Sequence, residues 1–209
     1  ALLDALLRLL LPPLLASALV IAALTVLTGG LHIDGLADAC DGLFGGATPE
    51  RRRAIMRETQ RGAYAMAGVT LVLLVKWAAL AGLAGPARPW AIAVAPVLGR
   101  WAQVLAIAAF PYARPEGLGA AFKGGATLGR VVAAAMVTVG AAGLLLRVPG
   151  VLLAGGVTLV AWLLARWAAA RLGGGLTGDT YGALSEAAEA LALVGVAALA
   201  GAGLERAMV

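Results

Sequence analysis

The chain has 209 residues, 62% of them hydrophobic and 13% charged, with a formal net charge of +5 and a single cysteine. So apolar a composition excludes an ordinary soluble domain, and long stretches with few charges read as transmembrane helices. One cysteine excludes an intramolecular disulfide, and the placement of the basic residues, given below, accounts for the positive balance without nucleic acid.

The first apolar segment covers about residues 9–27, with Pro12-Pro13 near its start. It lacks the basic start and small-residue cleavage site of a signal peptide. A polar stretch follows, from Leu31-His32-Ile33-Asp34-Gly35-Leu36-Ala37-Asp38 through Cys40-Asp41-Gly42. As a helix it puts Asp34, Asp38 and Asp41 at i, i+4 and i+7, three carboxylates on one face. Clustered carboxylates repel and drift toward protonation unless a cation holds them. Oxygen ligands at this spacing suit a hard cation, Mg²⁺ above all, which also takes substrate phosphates. The competing reading is a solvated polar loop. His32 is either a structural hydrogen-bonder or part of the same site, and Cys40 reads as packing.

Thr48-Pro49-Glu50 has the form of a helix start, a Thr cap with Pro and an acid in the first turn. Glu50, Arg53, Arg57 and Arg61 follow at helical spacing. Arg51-Arg52-Arg53 reads as a membrane-surface anchor, while Arg57 and Arg61 face one way and reach for phosphate. Further apolar segments cover residues 63–83, 90–110, 131–146, 148–165 and 186–203. Six spans in one domain, 1–209, make an all-α polytopic membrane bundle.

Segments 28–62, 111–130 and 166–185 carry ten of the sixteen basic residues, whereas the opposite side keeps Arg8, Arg88, Arg147 and Arg206. By the positive-inside rule these three connections are cytoplasmic and the termini lie outside. Most acids crowd the same face, which is therefore the working face. A second acidic cluster, Asp179, Glu186 and Glu189 at i, i+7 and i+10, follows a glycine-rich run and shares one face if a helix begins near Asp179. The two clusters are expected to meet, with Lys76 or Arg100 supplying the compensating charge. Both cations sit inside apolar segments, where burial costs at least about 2.5–3.5 kcal/mol on insertion scales, so each needs a partner or a polar cavity. Lys76 alternatively snorkels to the surface. An ion-coupled transporter is the reading from another class, and the crowding of charge on one face argues against it.

Several motifs together carry a family resemblance. They are Gly29-Gly30-Leu31-His32-Ile33-Asp34-Gly35-Leu36-Ala37-Asp38 with Asp41-Gly42, Arg61-Gly62-Ala63-Tyr64, Lys76-Trp77, Arg100-Trp101, Pro111-Tyr112-Ala113-Arg114 and Gly178-Asp179-Thr180-Tyr181-Gly182-Ala183-Leu184. In order and in content they resemble the cobalamin synthase (adenosylcobinamide-GDP ribazoletransferase) family, over about residues 10–200. The resemblance implies a Mg²⁺-dependent phosphotransferase in a bacterial or archaeal inner membrane, its active site facing the cytoplasm. It implies transfer of adenosylcobinamide phosphate from adenosylcobinamide-GDP to α-ribazole or its 5′-phosphate, releasing GMP. Asp34, Asp38 and Asp41 would hold the metal. Arg57, Arg61, Arg114 and Lys123 would offset charge on the leaving GMP. A carboxylate of either cluster, or His32, would accept the hydroxyl proton. Lys76, Arg100, Asp179, Glu186 and Glu189 complete the expected substrate contacts. The expected partners are the two substrates and the bilayer, with a homo-oligomer or a complex with other corrinoid-pathway enzymes. Family members carry a further N-terminal segment with a first membrane helix, expected to be missing here. The Asp-Gly-x-x-Ala opening is also similar to membrane CDP-alcohol phosphotransferases, but Asp38 stands where their motif has its second Arg.

Overall fold

The computed structural model describes residues 1–114 and 118–203; Glu116, Glu205 and Arg206 lie outside them. The described residues form helices α1 (Leu2–Leu10), α2 (Pro13–Leu27), α3 (Leu31–Gly45), α4 (Pro49–Ile55), α5 (Ala63–Gly82), α6 (Ala87–Ala109), α7 (Leu118–Gly125), α8 (Leu128–Arg171) and α9 (Gly178–Gly201), with no strand among them. Four helices are long and apolar enough to cross a membrane, or five if α2 and α3 count as one broken span. The chain is an all-α polytopic membrane protein.

Two local features relate this count to the expected six spans. The fourth and fifth expected spans are the arms of α8, broken at Arg147, where φ is +55°. A β-carbon on Gly150 would run into the Ala142 carbonyl oxygen, so the chain folds back on itself there. The first expected span is the 15-residue α2, short for a bilayer. After Gly29 and Gly30, both at positive φ, α3 leaves at 89° to it.

That bend places the aspartates. Ser17 on α2 accepts from Arg88 at the start of α6, and Thr28 just past α2 shares a cavity wall with Arg100 further along α6. The two helices therefore run in the same direction, and α3 leaves α2 at close to a right angle. Helix α3 packs on α9, α5 and α4. The core beneath is built of small residues: Ala91, Ala95, Leu98 and Ala102 on one stripe of α6 meet Ala188, Ala192 and Val196 of α9. In a bilayer, close backbone approach of this kind replaces the hydrophobic effect as the source of helix association. Leu71, Leu74, Val137, Leu144 and Leu152 cover the outside, as lipid contact requires.

The three long connections meet at the α3 end. Arg52 donates to the Arg171 carbonyl, Arg53 to that of Leu172, and Leu176 exchanges backbone bonds with Pro111 and Ala113. The expectation that they share one side holds in the geometry. Arg52 and Arg53 are thus half-buried ties that satisfy the open carbonyl end of α8. Arg51 pairs with Glu58. At the opposite end Arg88 is fully buried, paired with Asp4 and donating to the Leu80 carbonyl.

Candidate functional site

Asp34 and Asp38 lie on one face of α3, as their spacing predicts. The guanidinium of Arg61 spans them: Nη2 meets Asp34 Oδ1 at 2.5 Å and Nη1 meets Asp38 Oδ1 at 2.6 Å. The hydrogen bond with Asp34 raises the Arg61 pKa above its ordinary value, so this cation stays charged. Arg61 reaches the aspartates from the loop before α5. Helix α4 stops at Ile55, which corrects the expectation of a continuous helical face. Arg57 lies beyond the end of that helix and is exposed.

Asp41 does something else. Its two oxygens accept the backbone N–H groups of Gly62 and Ala65, at 2.5 and 2.9 Å, and so cap the start of α5. Among the described residues no group of three His, Cys, Asp or Glu side chains is arranged to hold a metal ion. Cys40 packs on Gly68, as expected of it.

The second cluster does meet the first. A β-carbon on Gly35 would stand 2.9 Å from the Asp179 carbonyl oxygen, and one on Gly182 would stand 3.2 Å from the His32 Cα. Only glycines allow α3 to cross α9 this closely. Asp179 sits in the first turn of α9, which Thr177 and Thr180 cap reciprocally. Its carboxylate takes Arg114 at 2.7 Å. About two turns deeper, Glu186 and Glu189 both bind the Lys76 ammonium, at 2.8 and 2.6 Å. All three are nearly inaccessible, so Lys76 is the compensating charge and does not snorkel. Arg100 faces His32, with Nη1 2.6 Å from Nε2, and also donates to Gln103 and Ser185. Ser185 was not among the expected residues; its position one before Glu186 was the only signal. Lys123 is turned away from this group, donating to the Ile107 and Ala108 carbonyls at the end of α6.

One hollow borders α3 and a second lies beside the bend that precedes it. An open groove of about 780 Å³ runs between α3 and α5, with Asp34 and Arg61 at its rim and Ala65, Met66 and Val69 along it. A smaller, partly open cavity of about 270 Å³ lies between α2, α5, α6 and α9, with Lys76, Arg100, Glu186 and Glu189 in its wall. Paired carboxylates bridged by arginine, a second carboxylate–cation group and two adjoining hollows can bind anionic groups and position two reactants.

Fold and site together define a multi-pass helical membrane protein with a carboxylate–guanidinium centre at one end of its bundle. The family model for cobalamin-5-phosphate synthase matches residues 1–197, and the chain belongs to that family. It is 43% identical over 177 residues to an adenosylcobinamide-GDP ribazoletransferase of Roseiflexus sp. (strain RS-1), covering 85% of this chain and 65% of the relative. One from Desulforamulus reducens is 42% identical over 84% of this chain and 70% of its own length, and one from Geotalea daltonii 40% identical over 95% and 79%. The chain thus spans from just under two thirds to about four fifths of the length of these relatives. No solved structure matches it.

Proposed function

We propose that the protein transfers adenosylcobinamide phosphate from adenosylcobinamide-GDP to α-ribazole or its 5′-phosphate, releasing GMP. A ribose hydroxyl of the acceptor attacks the phosphorus attached to the corrinoid side chain. The bond from that phosphorus to the bridging oxygen breaks, and GMP leaves with the electron pair. Such a displacement depends mainly on positioning and charge stabilisation. The observation that carries the reading, beside family membership, is the convergence of Asp34, Asp38, Arg61, Asp179 and Arg114 where α3 crosses α9.

Arg61 and Arg114 are the cations placed to meet the diphosphate, each loosening from its carboxylate as phosphate oxygens arrive. The proton acceptors at hand are His32 and the carboxylates of Asp34 and Asp38. Mg²⁺ fits this donor set in part. Asp34 and Asp38 offer hard oxygens to one cation already, whereas Asp41 has both oxygens committed to backbone N–H groups. Asp34 and Asp38 would therefore hold the metal, which when bound neutralises phosphate charge. The basic excess on the α3 end supports a cytoplasmic active site in a prokaryotic inner membrane.

Purified protein in lipid nanodiscs, given adenosylcobinamide-GDP, α-ribazole and Mg²⁺, is expected to release GMP in step with corrinoid product. Release of CMP from a CDP-alcohol, with no GMP from the corrinoid substrate, would overturn the reading.

A further inference from the structure

We propose that the smaller cavity between α2, α5, α6 and α9 is the acceptor subsite, and that it takes the uncharged heteroaromatic base of the nucleoside. This rests on the transferase reading above. The cavity holds about 270 Å³, just below the ~300–1,000 Å³ of ordinary small-molecule sites. That suits one compact ring system and excludes both a corrinoid macrocycle and a nucleoside diphosphate. The larger donor has the open groove of about 780 Å³ on the other side of the Asp34–Arg61 pair.

Charge narrows the occupant further. One lysine in the wall serves two glutamates, so with both carboxylates ionised the trio carries one negative charge, and Arg100 across the same cavity balances it. A buried lysine needs a single carboxylate for neutrality, and each extra buried charge is costly in a bilayer. A second glutamate and an arginine therefore exceed what packing requires. A balanced wall of donors and acceptors gives no net attraction to phosphate, and it hydrogen-bonds a neutral heterocycle well. Leu24, Leu27 and Pro96 supply apolar surface for the ring faces. Both ion pairs engage the Oε2 atoms, which leaves the Oε1 atoms of the two glutamates as acceptors.

The cavity is also connected to the chemistry. Arg100 lines it and touches His32, two residues before Asp34 on α3. A nucleoside with its base in the cavity projects its sugar past Arg100 toward the aspartates, while any 5′-phosphate stays on the side of Arg61 and Arg114.

Thr25 lines the cavity from the α2 side and touches none of the four charges. Thr25→Phe fills the space. Steady-state kinetics in nanodiscs should show the KM for α-ribazole raised at least about tenfold, with the KM for adenosylcobinamide-GDP within about twofold of wild type. Thr25→Leu, a milder filling, should move the same constant in the same direction if the Phe variant inserts poorly. An unchanged α-ribazole KM in both variants, or a rise confined to adenosylcobinamide-GDP, would overturn the subsite while leaving the transferase reading intact. Absence of GMP release from the wild type would overturn the transferase reading itself.

Discussion

Gly35 and Gly182 face each other where α3 crosses α9, and a β-carbon on either would stand 3.3 Å from the Cα of the other. This contact brings the aspartates of α3 to Asp179 and Ser185 of α9. Gly35→Val should force the helices apart, since the Asp179 carbonyl is backbone and cannot swing away. Overpacking of this kind costs about 1–3 kcal/mol. Displacement by about 1 Å at a reacting centre can cost on the order of a hundredfold in rate. GMP release should therefore fall far more than thermal stability, and a variant with near-wild-type turnover would show that the crossing does not set the site.

The three aspartates of α3 should not behave alike. Asp34→Asn and Asp38→Asn are expected to abolish turnover or raise the Mg²⁺ concentration for half-activity, without lowering the melting temperature. Asp41→Ala orphans two backbone donors at the start of α5, a loss of about 1–3 kcal/mol. It should lower the melting temperature and leave the half-saturating Mg²⁺ concentration unchanged. Mg²⁺ titrations of activity beside thermal unfolding in detergent distinguish the three, and a Mg²⁺ shift in the Asp41 variant would return it to the metal site.

Lys76 holds two buried glutamates, and removing it alone leaves two like charges together. Lys76→Met should cost about 3–5 kcal/mol. The triple variant Lys76→Met, Glu186→Gln, Glu189→Gln should recover much of that stability while remaining poor in catalysis. Equal destabilisation of single and triple variants, measured by thermal unfolding, would mean that the charges themselves are not what the pairing offsets.

Orientation is testable with single cysteines in a Cys40→Ser background. Gln60 and Ala84 are both exposed, one in the loop that carries Arg61 and the other in the turn between α5 and α6. An impermeant maleimide on intact cells should label Ala84→Cys and spare Gln60→Cys. The reverse would place the site outside.

The sequence made the i, i+4 placement of Asp34 and Asp38 legible, because helical geometry needs no tertiary information. It also showed that Lys76 needed a partner, since an unpaired cation in an apolar segment is unstable. It could not show that Asp41 serves Gly62 and Ala65, because a cap 21 and 24 residues away depends on how the chain returns. Arg57 and Arg61 kept helical spacing on paper, but the helix ended at Ile55 once Met56 turned into the core beside Leu172 and Tyr181. The join at Arg147 was legible, because an arginine before Pro149-Gly150 between two apolar segments reads as a turn; only its positive φ was not.

The right-angle turn between Leu27 and Leu31 has an electrical consequence. With α3 at close to a right angle to α2, its carboxylates are arrayed across the axis of that helix instead of along it. Moving one elementary charge across the bilayer couples to the membrane potential by ~2.3 kcal/mol per 100 mV. Chemistry arrayed across that axis should move little charge through the field. Turnover in sealed vesicles is accordingly expected to change little when a potential is imposed.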